Sequence, residues 1–218
     1  MLNVTDLIGF GAGGDLPAVV SYIGSNSSPN NNTAYTFTAQ NIGTASSDRI
    51  VVVGTTSNGN SLGISGITLG GSAMTKIAEG SNSNHFATLY YLAYPTGATA
   101  DIVVTWGDGK LRCGIVVYTI TKALSATPTH SNSAGASSTI VSTTINYNAN
   151  GVVIGVSHAG ANTTTTWTNL TEDSDFVIES ANNLSSASKA VSGSATGETI
   201  TSTSVSSSNR ALVVASWR

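Results

Sequence analysis

The sequence predicts an all-β fold, an antiparallel β-sandwich of jelly-roll-like form with an extended N-terminal arm. Three observations predict it. From Val19 onward, short apolar or alternating runs are separated by clusters of Gly, Asn, Ser and Asp. Thr and Ser dominate beside Val and Ile, and no segment carries an amphipathic helical period; β-branched residues favour strands. The runs recur at a spacing of roughly 8–16 residues, the pattern of a many-stranded sandwich.

In chain order, the first predicted strand, 34–39, follows the asparagine run Asn30-Asn31-Asn32. Strand 49–55 is a continuous β-branched run after a polar turn, and 64–69 is a shorter apolar run. Strand 86–94 alternates through Leu89, Tyr91 and Ala93, and 101–106 through Ile102, Val104 and Trp106. Residues two apart share a strand face, so each of these sets is expected to point inward together. Strand 113–121 carries the cysteine Cys113 in an apolar run, and 140–147 and 152–158 follow. The last four are 176–179, 189–192, 199–205 and 211–217. The segments 47–53, 149–154 and 208–214 look alike, each a polar turn before a β-branched run. Such runs suit central strands covered on both faces. The likeness spans only about seven residues and is not read as a repeat. Trp106, Val116, Val153 and Val213 are the expected core.

Two parts are predicted: residues 1–18 as a docking arm with a Gly-rich hinge, and 19–218 as a single sandwich domain. In the arm, Leu2, Val4, Leu7, Ile8 and Phe10 are apolar and Gly9, Gly11, Gly13 and Gly14 follow in quick order. An arm of this kind cannot bury itself and needs the domain or a partner; these five apolar residues are the candidate partner-docking residues, and packing back on the arm's own domain as an edge strand is the other reading. The glycines match the spacing G-x-G-x-x-G, but a nucleotide fold needs a strand before it and a helix after it. Here Asp15-Leu16-Pro17 follows, which reads as a hinge.

Composition excludes several functions. Charged residues are 9 % of the chain and net charge is −3, with eight Lys and Arg scattered singly. No basic stripe offers itself to nucleic acid. Cys113 alone makes no internal disulfide and is expected to be a buried, inert thiol. His85, His130 and His158 lie far apart and are read as exposed loop or strand-end residues, without metal-ligand spacing. Glu172, Asp173 and Asp175 read as a solvated turn, with a weak cation site as the other reading. No G-x-S-x-G elbow and no distinct carboxylate pair appear. The expectation is no enzyme, no catalytic residues, no cofactor and no metal. No basic leader precedes an apolar segment and no run reaches the ~20 residues of a membrane span, so cytoplasmic synthesis without membrane insertion is expected. Trp167, in Thr163-Thr-Thr-Thr-Trp-Thr-Asn, is the candidate ligand contact, because sugar C–H faces pack on aromatic rings; structural packing is its other reading.

A series of motifs carries a resemblance. It runs Arg49-Ile-Val-Val-Val-Gly, Ile67-Thr-Leu-Gly-Gly-Ser-Ala-Met, Leu89-Tyr-Tyr-Leu-Ala-Tyr-Pro-Thr-Gly and Asp101-Ile-Val-Val-Thr-Trp. It continues through Arg112-Cys-Gly-Ile-Val-Val-Tyr, Ser125-Ala-Thr-Pro, Gly151-Val-Val-Ile and Trp167-Thr-Asn-Leu-Thr-Glu-Asp. This order, over roughly residues 45–218, resembles small β-sandwich proteins of tailed bacteriophages and prophages, most without an assigned role. The resemblance implies a virion component on the particle surface, a capsid decoration (cement) protein or part of a tail. Its partners would be other virion proteins and further copies of itself in a symmetric oligomer. The alternative is a carbohydrate-binding adsorption module that recognises a cell-surface glycan.

Overall fold

The computed structural model describes residues 16–179 and 182–218, and every regular element among them is a strand. Leu2, Val4, Leu7, Ile8, Phe10 and the glycines of the arm lie outside the described residues. The strands are β1 (Val19–Ser28), β2 (Asn32–Asn41), β3 (Ile50–Gly59), β4 (Ile64–Leu69), β5 (Ser72–Ala73), β6 (Thr75–Asn82) and β7 (His85–Ala93). They continue as β8 (Thr99–Thr121), β9 (His130–Tyr147), β10 (Val152–Ala159), β11 (Thr165–Thr168), β12 (Thr171–Glu179), β13 (Asn182–Ala190) and β14 (Ala195–Trp217).

The strands form two antiparallel sheets, one of them nearly closed and barrel-like. The first runs β5-β4-β8-β3-β7-β6, with β1 and β2 also paired to β8. The second runs β11-β14-β10-β13-β12, with β9 paired to β14. These are one order written twice. β8 and β14, each of 23 residues, are the two spines. β3 and β10 are the central strands beside them, β7 and β13 come next, and β6 and β12 are the edges. Ile50 at the head of β3 sits between Ala93 and Ile120, and Val152 at the head of β10 sits between Ala190 and Trp217. The continuous β9 takes along β14 the place that β1 and β2 share along β8.

Each spine serves two faces because it bends. The runs 101–106 and 113–121, expected as separate strands, are one strand, and so are 199–205 and 211–217. The polar residues between them, Gly107-Asp108-Gly109-Lys110 and Ser206-Ser207-Ser208-Asn209, do not turn the chain back. They carry register shifts, so the strand kinks and continues. The N-terminal half of β8 pairs with β2 and β4, the C-terminal half with β1 and β3.

The result is three cores. The first sheet encloses one of its own, where Tyr35, Phe37, Val53, Ile67, Val104 and Trp106 meet. Val153, Leu170, Ile200, Leu212 and Val214 build another within the second sheet. The third joins the two sheets, with Val52, Leu89, Val116 and Tyr118 against Ile154, Val156, Leu184, Val213 and Trp217. Central strands are therefore covered on both faces, as their continuous β-branched runs require. The expected core residues Trp106, Val116, Val153 and Val213 are all buried. Edge strand β6 crosses the β9–β14 ribbon at Gly80 and Gly135. A Cβ on either would collide with a carbonyl across the gap, so the approach needs glycine.

Some expectations fail for identifiable reasons. β1, β5, β6 and β11 were not expected; β5, β6 and β11 carry no hydrophobic run, and the apolar residues of β1, Val20, Tyr22 and Ile23, are only half-buried. In β7 the alternation misleads: Leu89 is buried, but Tyr91 is half-buried and Ala93 exposed, whereas Tyr90 is buried on the opposite face. Glu172, Asp173 and Asp175 lie on the bulged strand β12, not in a turn. The similarity of 47–53 to 149–154 marks equivalent central strands, β3 and β10. The likeness of 208–214 belongs to a spine, β14.

Candidate functional site

Two polar features gather at one end of the molecule, where β3 meets β4, β6 meets β7 and β8 bends. The first is an open cleft of about 650 Å³. Its walls come from Asn31 between β1 and β2, Asn32 at the start of β2, Asn60 after β3, Asn84 before β7, and Lys110 and Leu111 on β8. The sequence dictates the opening: Pro29 and the asparagine run interrupt the ribbon beside β8. Lys110 holds the loops together. Its ammonium is fully buried and donates to the Asn60 and Leu62 carbonyls and to Asp108. It also lies 4.6 Å from the Phe86 ring centroid. The Tyr35 hydroxyl accepts from the Asn32 amide (3.2 Å) and lies 2.9 and 2.8 Å from the carbonyl oxygens of Asn30 and Lys110, with one proton to donate between them. Burial pushes that phenol up to about 12, so it stays protonated.

The second feature is internal. On the face of the first sheet that meets the second, Thr56 and Asn58 of β3, His85 of β7 and Arg112 of β8 follow the last apolar residues. Asn58 sits in register with both His85 and Arg112. The second sheet answers with His158 of β10 and Asn182 of β13. The His85 and His158 rings are 5.1 Å apart between centroids. Neither His158 nitrogen has a hydrogen-bond partner among the described residues, nor do both ends of the Asn182 amide, Nδ1 of His85, or Nε and Nη1 of Arg112. Arg112 does pair through Nη2 with Glu179 at 3.2 Å. Burial holds the His158 pKa well below the usual value, and positive charge on His85, Arg210 or Arg112 disfavours its protonated form further. Burial also lowers His85. The reading of these two histidines as exposed is thus corrected: they lie far apart in sequence, but equivalent strand ends bring them together. Only the placement of β7 over β10 could have revealed this.

A third polar group lies inside the second sheet. Arg210 is buried and donates to Ser202 Oγ (2.6 Å) and the Thr139 carbonyl (2.7 Å). Asp175 accepts from the Thr165 amide (2.8 Å) and the Asn183 amide (2.6 Å). Burial lowers the Arg210 pKa to about 10, and Asp175 opposes that shift. Among the described residues, no three His, Cys, Asp or Glu side chains gather as metal ligands.

Trp167 is half-buried on the second sheet's inner core. Its indole donates to Ser185 Oγ at 2.8 Å, and its ring packs where Gly155 leaves room. Cys113 is buried beside Thr55, and burial pushes its thiol up to about 12, which removes the thiolate needed for reactivity.

No protein-family model matches the chain, and no curated protein matches it.

Proposed function

We propose that this chain is a non-enzymatic virion structural protein of a tailed phage, a capsid decoration protein or tail component. It acts through protein–protein contacts and assembles as a symmetric oligomer on the particle surface. One observation carries the reading. Where the described chain begins, Leu16 is 64 % exposed, Leu124 is 63 % exposed and Val19 is 42 % exposed. They share one corner: Arg218 donates to the Leu16 carbonyl and accepts from the Leu124 amide, and Val19 pairs with Thr121. Apolar surface at the root of an apolar segment suits an assembly contact, because isolated partners leave both in water. The five apolar residues proposed for docking, Leu2, Val4, Leu7, Ile8 and Phe10, belong to that segment of the sequence.

The low charge and the Ser/Thr-rich outer strands suit a protein packed among neighbours. The jelly-roll description is part of this reading. It is supported by the pairing orders β1-β8-β3-β7-β6 and β2-β8-β4-β5, which divide the first half into a five-stranded and a four-stranded set that share β8.

Quantitative mass spectrometry of purified particles tests the proposal. Tens to hundreds of copies per particle, in a symmetric multiple, are expected. Absence from washed particles would refute it.

A further inference from the structure

We infer that the cleft at the bend of β8 is a binding site for a neutral oligosaccharide. The two halves of the molecule supply an internal comparison. In the second half β9 runs unbroken along β14, past Ser138 and Ile140. In the first half the equivalent ribbon is cut at Pro29-Asn30-Asn31 into β1 and β2, and the cleft lies at the cut. The same topology therefore folds without this opening.

The lining has a definite chemistry. The side chains of Asn31, Asn32 and Asn84 make no hydrogen bond to the described residues, whereas that of Asn60 donates to the Gly109 carbonyl at 3.1 Å. An amide presents a donor and an acceptor side by side. Adjacent sugar hydroxyls present the complement. Leu111, 41 % exposed, supplies an apolar surface for a sugar C–H face. The cation in the wall, Lys110, is fully buried and paired with Asp108, so it offers nothing to a carboxylate, sulfate or phosphate. A neutral, hydroxyl-rich ligand fits this balance, and an open cleft fits a chain of sugars.

The walls are also set in advance. Lys110, Asp108 and Tyr35 tie three chain segments together by hydrogen bonds that no ligand has to form. Ordering the loops before binding removes part of the entropic cost. Among the described residues no aromatic ring lines the cleft, so single-site affinity is weak, and avidity on a multi-copy particle compensates. This inference is independent of the docking proposal: failure to bind sugar leaves incorporation into particles untouched.

The experiment screens the full chain on an array of neutral glycans, then titrates maltotriose, cellotriose and tri-N-acetylchitotriose by NMR, with sialyllactose as the charged control. Binding of a neutral glycan at a Kd of about 0.1–10 mM is expected. The double variant N32A/N84A, at unchanged Tm, should weaken it about tenfold or more. Leu111→Ser, which removes no amide, should weaken it several-fold. The inference is overturned if no neutral glycan binds, if N32A/N84A binds as wild type, or if sialyllactose binds better.

Discussion

The imidazoles of His85 and His158, one from each half of the molecule, lie 5.1 Å apart in the gap between the sheets. Positive charge on His85, Arg210 or Arg112 disfavours a proton on His158, and the Asn182 side chain opposes this only in part. Both pKa values are depressed in the folded protein, mainly by burial. Above about pH 6.5 both folded and unfolded chains hold neutral rings, and stability is unaffected. Below it only the unfolded chain takes up protons, so stability falls with pH, by at most about 1.4 kcal/mol per pH unit for a ring that stays neutral. Glu172 works the other way: its pKa is raised by burial and by Asp175 and Asp173, so it favours the folded state as pH falls towards the carboxylate range. We expect Tm to drop between pH 7.5 and 5.5, and His158→Leu to flatten that slope. Identical slopes in the two proteins, followed by calorimetry, would contradict the buried pair.

The core between the halves makes a second prediction. Gly54 of β3 faces it, and a Cβ there would lie 2.5 Å from Val156 Cγ2 and 2.8 Å from Val116 Cγ2. Both neighbours are β-branched and buried, so neither turns away freely. Gly54→Ala should cost about 1–3 kcal/mol through overpacking. Gly66→Ala, where nothing lies within 4 Å, should change stability little. Chemical denaturation of the two variants separates them; equal stabilities would argue against the packing of β3 on β10.

Lys110 is the third test. Lys110→Met keeps a similar length but removes three hydrogen bonds and leaves Asp108 and the Asn60 and Leu62 carbonyls without their donor. A loss of about 2–4 kcal/mol is expected. Backbone amide exchange at residues 59–63 and 107–111 should accelerate while that of β10 does not. Unchanged exchange at those residues would show that the ammonium does not hold the loops.

The legible part of the fold was local. The β-branched runs of β3, β10 and the second halves of β8 and β14 announced central strands, because burial on both faces leaves no room for polar alternation. The duplication was not legible. Its two halves share pairing order and register, but their buried positions hold different side chains: Trp106 and Val104 in one inner core, Ser204 and Ser202 at the corresponding bend of the other. The bends read as turns because Gly107-Asp108-Gly109 and Ser206-Ser207 have turn chemistry, and nothing local distinguishes a kink from a reversal. The cleft left one trace, the asparagine run. The histidine pair left none, since its members come from strands paired to different neighbours and meet only across the packed sheets.

The docking of the N-terminal segment is the central functional claim, and deletion of residues 2–14 tests it most directly. The segment carries five large apolar side chains, Leu2, Val4, Leu7, Ile8 and Phe10. Burying each on a partner is worth roughly 1.5–3 kcal/mol before ordering costs. The measurement is incorporation of the truncated protein into particles lacking the full-length chain, with Tm and solution mass recorded in parallel. The account predicts a folded, soluble protein with wild-type Tm that fails to join particles or oligomers. Normal incorporation of the truncated protein would contradict it.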